Sequence, residues 1–167
     1  MKLLLSTVYV VSLASPGLSA QARPDFSGTW TMDMSRSEAA AQGAPIGPVS
    51  VTIRQTPEEI RIETTRDGST QLVRYLPAEA KVIAGGGELI GAFRWNGTQL
   101  ITSLATDISK QAITLQEVRT LSPAGTEMTV DITLNVEHGY PTGGTGPVKS
   151  RNYPNSATGR NVFLKAQ

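Results

Sequence analysis

Residues 126–136 show a clear pattern, in which polar and apolar side chains alternate strictly from Glu127 onward. The apolar positions are Met128, Val130, Ile132, Leu134 and Val136. A period of two places these side chains on one face of a β-strand and the polar ones on the other. Turn-forming residues 122–125 come directly before this segment, and residues 113–121 have the composition of a preceding strand. This part of the chain is therefore predicted to be a β-hairpin with one buried face.

Similar segments recur at intervals of roughly a dozen residues. They comprise residues 27–33, 49–54, 60–65, 71–76, 89–95, 99–105 and 161–165. Asp67-Gly68 and Asn96-Gly97 are strong signals for tight hairpin turns. Short strands at this spacing favour an all-β barrel or sandwich of about eight strands over a fold with crossover helices.

The first 22 residues have the order of an export signal. Lys2 supplies a positive charge, an apolar run follows over residues 3–13, and small residues surround Ala20 and Ala22. The run is too short to span a bilayer. Cleavage after Ala20 or Ala22 is possible, and Ala22 fits the small-residue rule better. We expect a signal peptide at 1–22, one domain at 23–167, and a secreted or periplasmic location; the alternative is a retained short anchor.

Charge and cysteine content exclude several classes of function. The chain has 15 Lys and Arg, 14 Asp and Glu, and no cysteine. Loss of Lys2 with the signal segment leaves a net charge of about zero, which disfavours a nucleic-acid partner. Without cysteine the chain has no disulfide, thiolate metal site or thiol nucleophile. No metal-ligand spacing is present, and no cofactor is expected.

Three motifs carry a family resemblance. They are the Gly-x-Trp phrase at residues 27–30, an Arg-centred hairpin over residues 118–130, and the closing strand at 161–165. Together they resemble a group of bacterial secreted lipocalin-like (calycin-type) barrel proteins of uncharacterised function. The chain departs from that group in the linker 77–87 and in the long segment 138–160.

The resemblance implies a single antiparallel up-and-down β-barrel of about eight strands. It also implies that Gly28 and Trp30 lie at the closed end and that Arg119 packs against Trp30 as the barrel floor. A guanidinium stacked on an indole contributes on the order of 1 kcal/mol. The alternative is that Arg119 binds a ligand or lies on a sheet rim.

Five residues are candidates for a ligand-binding lumen. Glu117 and Arg119 share a strand face with apolar residues, so they form either a structural pair or a polar anchor for a ligand head group. Phe93 and Trp95 share a face and fit either a pocket wall or an ordinary core. Tyr75 and Arg74 lie on opposite faces of their strand, so only one of them can face the lumen. Tyr75 is the candidate of the two.

The long segment 138–160 is rich in Gly, Pro, Asn and Ser and is predicted to be a loop. It contains His138, the only histidine, and Tyr140. These two residues and Glu117 are weak candidates for acid-base chemistry, because no nucleophile motif accompanies them. The sequence leaves open whether the protein is an enzyme, and its residues favour a protein that is not one.

The function that these observations favour is binding of a small, mainly apolar ligand in the lumen of an exported barrel. A first alternative is a solidly packed barrel that interacts with a protein partner. A second is an enzyme that uses polar residues at the barrel mouth.

Overall fold

The computed structural model describes residues 23–38, 47–78, 88–108, 111–136 and 156–166. Within these ranges the chain forms nine β-strands and one short 3-10 turn at Met34–Arg36. The strands are β1 Gly28–Met32, β2 Val49–Gln55, β3 Ile60–Arg66, β4 Ser69–Pro77, β5 Leu89–Asn96, β6 Gln99–Ile108, β7 Gln111–Leu121, β8 Glu127–Val136 and β9 Ser156–Lys165. All nine segments with alternating or strand-like composition are therefore confirmed as strands.

The nine strands close into one barrel in the order of the sequence. Closure joins β1 to β9 through antiparallel pairs such as Trp30 with Lys165 and Met32 with Phe163. The all-β barrel is thus confirmed, and the sandwich alternative is wrong. The described residues form nine strands, in agreement with the eight or nine strand segments counted in the sequence.

The pairing of β4 with β5 corrects the predicted up-and-down topology. These two strands are parallel, with Val73 opposite Leu89 and Pro77 opposite Phe93, whereas the other pairs are antiparallel. Parallel neighbours need a crossover connection, and the chain between Pro77 and Leu89 is long enough to provide one. The linker that departs from the resembled family is thus the one after which the next strand runs in the same direction as the strand before it.

The hairpins form where glycine permits a positive φ. Asp67 and Gly68 have φ of 49° and 76°, and Gly97 has a φ of 57°. These values suit the tight turns that match the twist of paired strands. The turns at residues 56–59, 97–98 and 122–126 lie at one end of the barrel, which we call the closed end.

The core is densest at the closed end. Its most completely buried side chains are Phe26, Trp30, Ile53, Ile60, Leu100 and Met128, each 1% exposed or less. Toward the opposite end, Leu115, Ile132 and Leu134 point along the same inward face but are only half-buried. The interior is therefore filled at the closed end and less completely filled above it.

Several predictions fall on residues outside those described. These are the signal peptide at 1–22, His138, Tyr140 and residues 138–155 of the predicted loop. The last five residues of that loop, 156–160, belong to β9, so its predicted end is wrong. Among the described residues, no helix is long and apolar enough to cross a membrane.

Candidate ligand-binding site

A cavity of about 530 Å³ occupies the half of the barrel away from the closed end. Its apolar wall consists of Ile62, Val73, Leu104 and Leu115, from β3, β4, β6 and β7. Its polar rim, at the β3–β4 hairpin, consists of Thr64, Arg66, Asp67, Ser69, Thr70 and Gln71. This volume lies within the range of roughly 300–1,000 Å³ that is typical of small-molecule sites.

Four polar side chains gather at the inner end of this cavity. Tyr75, Glu117 and Arg119 line it, and Thr102 is paired directly with Glu117 across β6 and β7. The period of two explains this arrangement, because Tyr75 follows Val73 by two residues and Glu117 follows Leu115 by two. We call these four residues the inner polar cluster.

Arg119 is the centre of the inner polar cluster. Its Nη1 donates to Thr102 Oγ1 at 2.6 Å, and its Nη2 donates to Glu117 Oε2 at 2.5 Å. Arg119 is 4% exposed and Thr102 is 1% exposed. A buried charge of this kind needs a partner charge, and Glu117 supplies it. The Arg119 Nε is also buried and has no acceptor among the described residues.

Tyr75 packs closely against a glycine, Gly91, in the neighbouring strand. A Cβ placed on Gly91 would lie 2.5 Å from the Tyr75 ring and 2.6 Å from the Ser103 carbonyl oxygen. Only glycine leaves room for this ring position. Burial raises the pKa of Tyr75 to about 12, Glu117 adds to the rise, and Arg119 and a hydrogen bond with Thr102 oppose it. The phenol is therefore neutral at physiological pH.

Comparisons with known proteins give distant structural similarities. No protein-family model and no curated protein matches this sequence. Lipid binding protein 8 from Caenorhabditis elegans is similar at a TM-score of 0.48 and 11% identity, over 84% of this chain and 95% of that one. The fatty acid transporter REP1-NXSQ is similar at a TM-score of 0.41 and 10% identity, over 85% of this chain and 96% of that one. Secretory abundant heat soluble protein 4 from Ramazzottius varieornatus is similar at a TM-score of 0.40 and 10% identity, over 92% of this chain and 100% of that one.

The names of the first two describe a lipid binding protein and a fatty acid transporter. The closed barrel itself rests on the strand pairing described above.

The structure separates the five predicted ligand-binding residues into two groups. Tyr75, Glu117 and Arg119 line the cavity together. Phe93 is 4% exposed and belongs to the core cluster. Trp95 packs against Phe26, with 6.0 Å between ring centroids. The two aromatic residues therefore belong to the packed part of the barrel, and the ligand role of the other three stays a prediction.

The predicted barrel floor contains a different cation. Trp30 is fully buried, and its Nε1 donates to the carbonyl oxygen of Phe26 at 3.0 Å. The cation over its ring is Lys165, whose Nζ lies 5.3 Å from the centroid. Among the described residues, Arg119 makes no such contact, so the predicted Arg119–Trp30 stack is wrong. The guanidinium bonds Glu117 and Thr102 instead, because these lie beside it on β7 and β6.

Gly28 has a steric role in the same floor. Its φ is +133°, and a Cβ at this position would lie 2.9 Å from Lys165 Cε. Glycine therefore allows both the backbone conformation and the approach of Lys165 to Trp30. The Gly-x-Trp motif has a structural explanation that does not involve Arg119.

Two residues of the site were not predicted. Thr102 gives no distinctive signal, since threonine is common in strands. Gly91 does give one, because a glycine inside a strand often marks a close approach of another group. Among the described residues, no group of three or more His, Cys, Asp and Glu is placed to hold a metal ion.

Proposed function

We propose that this protein is an exported carrier whose barrel holds one small, mainly apolar molecule in the cavity above the inner polar cluster. The observation that carries this proposal is the cavity of about 530 Å³ with aliphatic side chains along its wall. Removing apolar surface from water contributes roughly 25 cal/mol per Å², so an apolar ligand is favoured there.

The inner polar cluster restricts the shape of the proposed ligand. The interior below it is filled by Trp30, Leu100 and Met128, so a ligand can extend only as far as the cluster. One polar group at the inner end of the ligand would find hydrogen-bond partners there. An elongated molecule with one polar end therefore suits the site best.

The alternatives fit the geometry less well. A solidly packed interaction barrel predicts a filled lumen, whereas filling is complete only at the closed end. For an enzyme, the candidate base Glu117 is already bonded to Arg119 through Oε2. His138 and Tyr140 lie outside the described residues and add no support. Export itself is supported by the charged, apolar and small-residue order of residues 1–22.

Binding is testable with N-phenyl-1-naphthylamine, an uncharged apolar probe that fluoresces on leaving water. We expect saturable enhancement with the mature protein. Leu115→Trp narrows the cavity and should weaken binding by about tenfold or more, whereas Leu72→Trp should leave it unchanged. Leu72 is the matched control, because it is 46% exposed on β4 beside the cavity residue Val73.

Two results would count against the proposal. One is equal probe binding by the Leu115→Trp and wild-type proteins, which would place the probe elsewhere. The other is no binding by the wild-type protein, which would favour a filled barrel. Export is checked on the same sample, since the mature chain from the exported fraction should have the intact mass of residues 23–167.

A further inference from the structure

The guanidinium of Arg119 carries more N–H donors than there are acceptor atoms from the protein around it. Thr102 accepts from Nη1 and Glu117 accepts from Nη2, while Nε is buried without an acceptor among the described residues. An unsatisfied buried donor is costly, and native structures contain few of them. Nε has almost no accessible surface, so an oxygen atom carried by a ligand would instead accept from the second N–H of Nη1 or Nη2, on the part of Arg119 that lines the cavity.

The charge of Arg119 is already neutralised. Glu117 lies 2.5 Å from it and also lines the cavity, so the two side chains present one charge of each sign to a ligand. Arg66 and Asp67, the other charged residues of the lining, lie at the exposed hairpin and also carry opposite charges. Tyr75 contributes a neutral phenol. The lining therefore has no net positive charge to attract an anion.

We propose that the cavity selects ligands whose polar end is an uncharged oxygen, such as an alcohol, ester or ketone, and that Glu117 excludes carboxylates. This inference rests on the proposed binding function and names the chemical class of the ligand. An uncharged oxygen accepts from Arg119 without disturbing its ion pair. A carboxylate at the same place would lie against Glu117 in a low-dielectric interior, where like charges repel strongly.

The test compares dodecanol, dodecanoate and dodecane as competitors of N-phenyl-1-naphthylamine at neutral pH. We expect dodecanol to displace the probe at about tenfold lower concentration than dodecanoate, and also at lower concentration than dodecane, which has no acceptor for Arg119; equal displacement by dodecane and dodecanol would overturn the role of the oxygen. Stronger displacement by dodecanoate would overturn the inference. Equal displacement by the three compounds would also overturn it. This comparison needs only the wild-type protein.

Variants of Glu117 test its role directly. Glu117→Gln keeps the size and an acceptor oxygen but removes the charge, so dodecanoate should bind about tenfold more tightly while dodecanol changes little. Glu117→Asp keeps the charge and should keep the preference for dodecanol. Glu63→Gln is the control, because it makes the same substitution on an exposed position of β3. A Glu117→Gln protein that is folded by circular dichroism and keeps the wild-type preference would refute this role.

The outcomes separate the inference from the proposed function. If the probe binds and Leu115→Trp blocks it, the cavity is a binding site whatever the competitors do. A preference for dodecanoate would then leave the binding function standing and remove only the selection by Glu117. If the probe does not bind at all, the binding function itself fails.

Discussion

Replacing Glu117 by glutamine should destabilise the protein because it leaves the charge of Arg119 uncompensated in the interior. The pair is short, with 2.5 Å between Nη2 and Oε2, and its side chains are 4% and 18% exposed. Breaking a buried pair by removing one partner costs about 3–5 kcal/mol. Glu117 retains some contact with water, and glutamine still accepts a hydrogen bond. We therefore expect a loss of about 2–3 kcal/mol.

A surface pair of similar length provides the control. Arg160 Nε lies 2.6 Å from Asp131 Oδ1, but these side chains are 61% and 46% exposed. Exposed pairs contribute about 0–1 kcal/mol, because water screens both charges. Asp131→Asn should therefore cost less than about 1 kcal/mol. Because the two ion pairs have similar lengths, the difference between the two losses of stability reports the effect of burial and not of bond length.

Urea unfolding at neutral pH measures both losses, and a double-mutant cycle measures the coupling. Arg119→Met removes the buried cation, so in its presence Glu117→Gln should cost much less than in the wild type. An equal cost in both backgrounds would refute the argument. So would a Glu117→Gln loss no larger than that of Asp131→Asn, since it would mean that water reaches the Arg119 guanidinium.

Two further predictions concern Gly28 and Tyr75. Gly28→Ala should cost about 2 kcal/mol or more in urea unfolding, because residues with a Cβ rarely adopt a φ of +133°, whereas Gly68→Ala, at a φ of +76° and with open space around its Cβ, should cost about 1 kcal/mol; equal costs would contradict the backbone strain expected at Gly28. The pKa of Tyr75 is raised by burial to about 12, so its stabilising contribution is complete below pH 10 and falls by about 1.4 kcal/mol per pH unit between pH 10 and about 12. The stability difference between wild type and Tyr75→Phe should therefore shift by that slope above pH 10, and a constant difference would contradict the burial of the phenol.

The strands were predictable because their signal is local. Side-chain alternation in residues such as Val130 and Ile132 depends only on the pleat of one strand. The parallel pairing of β4 with β5 was not predictable in this way, because it depends on where the linker after Pro77 places the next strand. Alternation predicts that a segment is a strand, but the direction of that strand depends on the connection that precedes it.

The candidate site was predictable only in part for a related reason. Alternation shows which face a side chain occupies, and Phe93, Trp95 and Glu117 were all correctly expected to face inward. Height along the barrel axis depends on the register between strands. Trp95 pairs with Leu100 near the closed end, whereas Glu117 pairs with Thr102 at the base of the cavity. Register therefore keeps Trp95 near the closed end, while Phe93, although paired with Thr102, is buried in the core and does not line the cavity.

The closing pair of β1 with β9 has a consequence for how the chain folds. Trp30 and Lys165 belong to the first and last strands, so the barrel closes only after nearly the whole domain has been made. Contacts this distant in sequence slow folding, and until they form β1 and β8 present unpaired edges to other chains. A translation product that stops before β9 would thus be a poor folder and prone to aggregation, although most of its strands are complete.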